Sequence, residues 1–275
     1  MKEVQPVTVL SIAGSDSGGG AGIQADLRTF AAFGVHGTTA ITAVTAQNTL
    51  GVCDVAVMPV SLITSQVRAV TDDFNVAAVK TGMLGDGDVV ETVAELARQG
   101  LFEHLVVDPV LVSTSRHSLM RDGGIRAYRE SLFPRATIVT PNLREACALC
   151  DVDIDEVTTR AHMITLGTKL LALGPRFVLV KGGHFASQEQ ELQVPDVLVS
   201  ADGIEIFEAP RVATSNDHGT GCTLSAAICA RLALGSSVPD AVRDAKSFVS
   251  RALVGAASWR LGAGRGPLDH LSWNE

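Results

Sequence analysis

Short apolar runs rich in β-branched residues alternate with longer amphipathic segments along most of this chain. The run at 7–13 predicts a buried strand, because β-branched side chains pack well on a pleated surface. The segment at 23–33 predicts a helix, since its apolar residues recur at helical spacing. The same reasoning predicts further strands at 38–44, 77–80, 105–109, 137–140 and 177–180, and further helices at 59–73, 89–99, 123–132, 158–173, 226–234 and 238–261.

Strands that alternate with helices at this spacing predict a mainly parallel sheet covered by helices on both faces. Two further strand patterns, at 194–200 and 204–208, flank Asp202 and Gly203. This turn signal predicts a hairpin and therefore an antiparallel edge. No linker, repeat or low-complexity tract interrupts the pattern. We expect an α/β fold, a three-layer sandwich, in which residues 1–275 form a single domain.

Polar clusters follow the predicted strands repeatedly, at the point where each strand ends. They lie at 14–22, 45–47, 81–83, 108, 142–145 and 181–184. In open α/β sheets, ligands bind outside the carboxyl ends of the strands. The repeated coincidence favours an enzyme over a protein without a ligand site.

The stretch at 217–225 carries the most concentrated chemistry of the chain. Gly219 and Gly221 permit turn conformations that a Cβ would oppose, and a helix follows them. The first N–H groups of a helix have no intrahelical acceptor, and together with the macrodipole they form an anion site. Cys222 lies at this positive end, where we expect a thiolate to be favoured below its usual pKa. The alternative is an ordinary glycine-rich loop that caps a core helix.

Composition narrows the classes of partner. The formal charge of −8 and an aromatic content of only 4 % argue against nucleic acid or an anionic membrane as the main partner. No apolar stretch is long enough to predict a transmembrane helix, and the N-terminal residues lack a signal-peptide pattern. We therefore expect a cytoplasmic location.

The five cysteines show no disulfide-like framework. Cys147 and Cys150 form a C-x-x-C pair, but no second pair or histidine cluster lies near them in the sequence. We interpret them as small buried apolar residues rather than as a metal or redox site. Neither a G-x-G-x-x-G fingerprint nor a phosphate-binding P-loop motif is present.

Seven segments together resemble the hydroxymethylpyrimidine/phosphomethylpyrimidine kinases of thiamin biosynthesis, within the ribokinase superfamily. The matching segments are 13–26, 42–51, 80–84, 108–110, 140–145, 181–184 and 218–225, in order over nearly the whole chain. The resemblance implies a ribokinase-like fold. It also implies an ATP-dependent kinase that phosphorylates 4-amino-5-hydroxymethyl-2-methylpyrimidine and then its monophosphate. A pyridoxal or pyridoxine kinase on the same scaffold is the alternative, and a non-catalytic ligand sensor is the alternative from another class.

The resemblance places the pyrimidine between the first polar loop and the helix that follows Gly219. Gln47 would recognise the pyrimidine edge, because its amide offers both donors and an acceptor. The other residues that would line this pocket are Gly14, Ala21, Asp26, Thr45, Met83 and Val110. For Asp26 a helix-stabilising role is an equal alternative, and Met83 could belong to the core.

The resemblance also implies roles in phosphoryl transfer, which requires positioning and charge neutralisation. Backbone N–H groups at 219–222 (Gly219, Thr220, Gly221 and Cys222) would stabilise the transferring phosphoryl group. Cys222 would accept the proton of the hydroxymethyl group as general base. Asp108, Lys181 and Lys246 would lie near the nucleotide, although Lys246 could instead be an ordinary solvated helix lysine.

Asn142 and Glu145 would hold Mg²⁺, in keeping with the preference of this ion for oxygen ligands. An N-cap with a helix-dipole partner is the alternative for this pair. The family also implies a homodimer.

Two positions depart from the family pattern. Thr114 stands where a lysine is common, and Arg116 could replace that cation. Asp217 stands where a threonine is common and brings a carboxylate next to the predicted anion site.

Overall fold

The protein is described by a computed structural model in which residues 5–111, 120, 123–183 and 192–272 are defined. The strands are β1 (Thr8–Asp16), β2 (His36–Asn48), β3 (Gly51–Val57), β4 (Val76–Thr81), β5 (Leu105–Val107), β6 (Ile138–Val139), β7 (Phe177–Lys181), β8 (Gln193–Ser200) and β9 (Gly203–Pro210). The helices are α1 (Gly22–Ala32), α2 (Val60–Thr71), α3 (Gly87–Arg98), α4 (Gly124–Ala127), α5 (Leu143–Cys150), α6 (Arg160–Leu171), α7 (Thr220–Ala233) and α8 (Val238–Ala256). A π turn at Tyr128–Leu132 continues α4, and 3₁₀ turns lie at Phe133–Arg135 and Ile154–Glu156.

The nine strands of the described residues form one sheet in the order β3-β2-β1-β4-β5-β6-β7-β8-β9. The strands from β2 to β7 in this order pair in parallel, whereas β8 and β9 pair antiparallel at one end. The structure thus confirms the predicted α/β class, the mainly parallel sheet and the β8–β9 hairpin. Parallel order brings the carboxyl ends of β1, β4, β5, β6 and β7 to one edge.

One strand was missed by the sequence analysis. β3 pairs antiparallel with β2 and forms the opposite end of the sheet. It lies at the sheet edge, and its residues are half-buried or exposed, so its sequence lacks the apolar run of a buried strand. Both ends of the sheet are therefore antiparallel.

Helices cover the two faces of the sheet and enclose two separate hydrophobic clusters. Helices α1, α7 and α8 pack on one face, and α2, α3, α5 and α6 pack on the other. Successive residues of a strand contribute to opposite clusters, as Val9 and Leu10 do in β1. This arrangement is the three-layer sandwich that the alternating pattern predicts.

The last helix ends five residues earlier than predicted, at Ala256 rather than at 261. Asn216 donates from Nδ2 to the carbonyl oxygens of Ala256, at 2.7 Å, and Trp259, at 3.0 Å. Carbonyls at the end of a helix need such external donors. The chain beyond α8 then returns to the segment before α7, where the N–H of His218 donates to the carbonyl of Gly266. In the described part of the chain, no helix is both long enough and apolar enough to cross a membrane.

Candidate active site

The loop between β1 and α1 is organised by one buried carboxylate. Asp16 accepts the backbone N–H groups of Gly18, Gly20 and Ala21 at 2.8 to 3.0 Å, and His218 Nε2 lies 2.9 Å from its Oδ2. Burial alone would raise the pKa of Asp16, but the hydrogen bonds from His218 and the backbone hold it below its usual value. The loop is therefore closed around an ionised carboxylate. Sequence analysis did not single out Asp16.

The same loop contacts the start of α7 directly. Gly219 caps this helix with φ near 90°, and a Cβ there would collide with the carbonyl oxygen of Gly20. Only glycine combines this conformation with so close a backbone contact. In the described part of the chain, the N–H groups of Gly221 and Cys222 have no protein acceptor. Two free donors at the positive end of a helix form an anion site between the loops.

Cys222 lies in the first turn of α7, between the two loops. The backbone N–H of Gly22 hydrogen-bonds its sulfur, and the charge of Lys80 is the strongest influence that lowers its pKa. Burial nevertheless raises the pKa of the thiol to about 11, and Asp26 and Asp108 add to the rise. The expectation of a pKa below the usual value is therefore wrong, because burial and the two carboxylates outweigh the helix dipole.

A buried ion pair lies behind Cys222. Lys80 Nζ is 2.9 Å from each carboxylate oxygen of Asp26, which also accepts the hydroxyl of Ser11 at 2.6 Å. Burial alone would lower the pKa of Lys80, but Asp26, Cys222 and Asp108 raise it above its usual value. Asp26 has no exposed surface, so the expectation that it lines the substrate pocket is not met. Its carboxylate instead holds the lysine beneath the site.

A second ion pair lies on the other side of α7. Lys181 Nζ is 2.9 Å from Asp108 Oδ1, and the hydroxyl groups of Thr140 and Ser225 lie 3.3 Å from the same carboxylate. An added Cβ on Gly221 would lie only 3.2 Å from Lys181 Nζ. The pair therefore faces the first turn of α7. The structure thus brings Asp108 and Lys181 close to the free N–H groups.

Asn142 and Glu145 form a capping box at the start of α5. The N–H of Glu145 donates to Asn142 Oδ1 at 3.0 Å, and the N–H of Asn142 donates to Glu145 Oε2 at 2.7 Å. The N-cap alternative for this pair is thus realised. Burial raises the pKa of Glu145 to about 7; Lys181 opposes the rise and Asp108 adds to it. Two carboxylates therefore share one cation, an arrangement that a divalent ion would relieve.

Lys246 is nearly buried and does not project freely from α8. Its Nζ lies 2.5 Å from Asp196 Oδ2, and Asp196 Oδ1 accepts the N–H of Gly182 at 2.9 Å. The alternative of a solvated helix lysine is therefore wrong. Lys246 therefore connects α8, through Asp196, to the backbone next to Lys181.

Gln47 lies at the end of β2, beside the loop that Asp16 organises. Its amide contacts Thr45 Oγ1 at 3.2 Å and His218 Nε2 at 3.1 Å. Met83, after β4, lies close to Gly14 in β1: a Cβ on Gly14 would lie 3.4 Å from Met83 Sδ. The remaining predicted pocket residues, Ala21 and Val110, are half-buried at the ends of neighbouring segments. Sequence analysis quoted His218 in a motif but gave it no role.

The carboxylate of Asp217 is paired rather than free. Arg265, from the segment after α8, binds it with two parallel hydrogen bonds. The departure at Asp217 is thus compensated within this chain. Thr114 and Arg116, and the end of the 181–184 motif at His184, lie outside the described residues.

Cys147 and Cys150 fit the interpretation as apolar residues of α5. Cys147 is buried and Cys150 half-buried, and burial raises the pKa of both thiols. Within the described ranges, no group of three or more His, Cys, Asp or Glu side chains forms a metal cluster.

Comparison with known proteins adds to this geometry. The family model described as phosphomethylpyrimidine kinase matches residues 16–269. The chain belongs to this family. A hydroxymethylpyrimidine/phosphomethylpyrimidine kinase of Streptomyces coelicolor is 46 % identical over 97 % of this chain and 95 % of its own length. The resemblance inferred from the seven segments is thereby confirmed.

Solved structures of a phosphomethylpyrimidine kinase and of a pyridoxal kinase have the same fold. A phosphomethylpyrimidine kinase from Clostridium difficile superposes with a TM-score of 0.77 at 37 % identity, covering 90 % of this chain and 99 % of that one. A pyridoxal kinase from Staphylococcus aureus, in complex with AMP-PCP and pyridoxal, gives 0.88 at 32 % identity, covering 99 % and 96 %. The ribokinase-like fold and a kinase activity are therefore established. The fold does not distinguish a phosphomethylpyrimidine kinase from a pyridoxal kinase.

Proposed function

We propose that this protein is an ATP-dependent kinase that phosphorylates 4-amino-5-hydroxymethyl-2-methylpyrimidine and then its monophosphate. The observation that carries the proposal is the close backbone contact at Gly219, where the loop around Asp16 packs against the start of α7. A substrate held by that loop would lie next to the free N–H groups of α7 and the Asp108–Lys181 pair. This is the positioning that phosphoryl transfer requires.

In this proposal the pyrimidine binds on the side of the site formed by the ends of β1, β2 and β4. Gln47 hydrogen-bonds the edge that carries the amino group. Gly14, Ala21, Thr45, Met83 and Val110 surround the ring, and the hydroxymethyl group points to Cys222. Asp26 contributes indirectly, because it is buried against Lys80.

The nucleotide phosphates lie on the other side of α7. Of the N–H groups at 219–222, that of Thr220 already donates to the carbonyl of Asp217 at 3.3 Å. The free N–H groups of Gly221 and Cys222 donate to the phosphoryl group in transfer, where charge develops in the transition state. Lys181 supplies a fixed positive charge, and its bond to Asp108 sets the position of that charge. Lys246 supports this side through Asp196.

Cys222 is the proposed general base for the hydroxymethyl proton. A thiol with a pKa raised to about 11 is mostly protonated at neutral pH. Only the thiolate can accept a proton, so the reactive fraction is small and grows as the pH rises. Lys80 keeps that fraction from being smaller still, since it stabilises the anion.

Mg²⁺ fits the acidic side of the site. Glu145 and Asp108 repel one another and share Lys181, and Glu145 and Asn142 retain oxygen lone pairs beyond their capping bonds. We propose that Asn142 and Glu145 hold the ion through water. When bound, Mg²⁺ neutralises negative charge on the phosphates.

The proposal is tested by ADP release with Mg-ATP and one acceptor at a time: the hydroxymethylpyrimidine, its monophosphate, or pyridoxal. Release with both pyrimidines supports it. A pyridoxal kinase is the second candidate, favoured by the likeness to the Staphylococcus aureus enzyme. Turnover of pyridoxal alone would establish that candidate. Absence of ADP release with every acceptor would favour a sensor.

We also propose a homodimer, as the family resemblance implies. The β2–β3 end of the sheet supports this proposal, because Val44 in β2 and Leu50 in the turn before β3 have exposed apolar side chains there, and β3 has an open edge. Sedimentation equilibrium tests it, and a monomer at assay concentration would refute it.

A further inference from the structure

His218 joins the loop that holds Asp16 to the side chain that reads the substrate. A single atom, Nε2, makes both contacts, at 2.9 Å to Asp16 Oδ2 and at 3.1 Å to the Gln47 amide. The ring also packs on Gly20, where any Cβ would collide with it. The position of His218 is therefore fixed from three sides.

The hydrogen-bonding partners determine the state of this nitrogen. Asp16 is an ionised carboxylate and can only accept hydrogen bonds. Nε2 must therefore carry a proton and donate to Asp16. A protonated Nε2 has no lone pair left to accept a hydrogen bond from an NH₂ group, so the end of the Gln47 amide that faces it must be the carbonyl oxygen.

The contact between Thr45 and the other end of the Gln47 amide independently indicates the same direction of the amide. Thr45 donates its only hydroxyl proton to the carbonyl of Ser15 at 2.9 Å. Its oxygen can then only accept from the amide group 3.2 Å away. With the Gln47 amide rotated by 180°, its NH₂ donates to Thr45 Oγ1, and its oxygen shares the single Nε2 proton of His218 with Asp16 in a three-centre hydrogen bond. Nitrogen and oxygen of a side-chain amide are assigned from such networks.

We propose that His218 is a positioning residue that, together with Thr45, fixes the direction of the Gln47 amide and thereby selects the amino-bearing edge of the pyrimidine. The proposal rests on the proposed function, in which Gln47 binds that edge. The fixed carbonyl accepts from the exocyclic amino group, and the fixed NH₂ donates to the adjacent ring nitrogen. Without His218, the amide loses one of the two contacts that fix its direction.

The test compares the hydroxymethylpyrimidine with an analogue that lacks the 4-amino group. For His218→Leu we expect KM for the amino compound to rise by about tenfold, the effect of one mismatched hydrogen bond, with KM for ATP unchanged. The preference for the amino compound should fall by the same factor. His218→Gln keeps an N–H donor and should retain most of the preference.

Thr45→Val and its matched control Thr45→Ser test the other end of the amide. Valine should lower the preference as His218→Leu does, and serine should keep it. An unchanged preference in both His218→Leu and Thr45→Val would overturn the inference. Equal losses with both compounds would also overturn it, because they indicate a role in folding only.

A substrate-free measurement separates this inference from the proposed function. Long-range ¹H–¹⁵N correlation spectra of the whole protein report whether Nε2 of His218 is protonated, with His218→Gln assigning the signal. A protonated Nε2 supports the inference, and an unprotonated Nε2 refutes it. If the wild type accepts only pyridoxal, the proposed function fails, and the spectrum still decides the direction of Gln47.

Discussion

Lys80 Nζ lies 2.9 Å from each carboxylate oxygen of Asp26, and neither side chain reaches solvent. A buried pair of this kind contributes little net stability over a well-packed apolar pair, but a single charge left behind is costly. The pair also places a positive charge behind Cys222. Its two consequences, for stability and for the thiol, can be separated by mutation.

We expect Lys80→Met to lower the free energy of unfolding by about 3–5 kcal/mol, because it leaves Asp26 buried without a cation. The double variant Lys80→Met/Asp26→Leu should recover most of that loss. Urea unfolding measures both. The exposed pair of Arg98 and Glu95 is the control, and Arg98→Ala should barely change stability. A single variant as stable as wild type would contradict the buried ion pair.

We expect Cys222→Ala to lower kcat by about 10² to 10⁴, the usual contribution of a general base. In the wild type, kcat should rise with pH below the raised thiol pKa of about 11, because the thiolate fraction rises. Cys222→Asp should move this rise to lower pH, since a carboxyl group ionises earlier. A pH-independent kcat in the wild type, or near-normal turnover in Cys222→Ala, would remove Cys222 as the base.

Glu145 predicts a pH-dependent difference in stability. Its pKa is raised to about 7 in the folded protein, above its value in the unfolded chain. Between these two values, the folded state binds the proton more tightly than the unfolded state. Ionisation of Glu145 therefore costs stability as the pH rises through this window. Between pH 4.5 and pH 8, the free energy of unfolding of Glu145→Gln should rise relative to that of the wild type by up to about 3 kcal/mol. A difference that does not vary with pH would contradict the raised pKa.

Arg265 predicts a salt-dependent effect on nucleotide binding. Removing it in Arg265→Gln leaves the Asp217 carboxylate unpaired, two residues before Gly219. We expect KM for ATP to rise by a few fold at low salt and less at high salt, where the charge is screened. Adding Asp217→Thr to that variant should restore KM. A KM that is independent of Arg265 would show that the carboxylate does not reach the anion site.

The sequence predicts those parts of the fold that local patterns encode. β1 and the loop before α1 were predicted because a buried strand and a glycine-rich turn have strong local signals. β3 was missed because an exposed edge strand lacks an apolar run. The end of α8 was overestimated because Asn216, 40 residues away, caps it.

The site shows the same division between local and distant causes. Gly219, Gly221 and Cys222 lie within four residues of one another, so a cluster of N–H donors at the start of a helix could be predicted from the sequence. The raised pKa of Cys222 could not, because Asp26 and Asp108 come from other elements. Lys80 did carry a signal, as a lysine at the end of a buried strand, but its partner lies 54 residues away.

The most direct test of the central claim is the identity of the product formed from Mg-ATP and the hydroxymethylpyrimidine. Mass spectrometry should find the pyrimidine monophosphate early and the diphosphate later, each with an equivalent of ADP. This result would establish both phosphoryl transfers in one site. An unchanged pyrimidine, with pyridoxal phosphate formed when pyridoxal replaces it under the same conditions, would contradict the account and leave only the fold and the kinase activity.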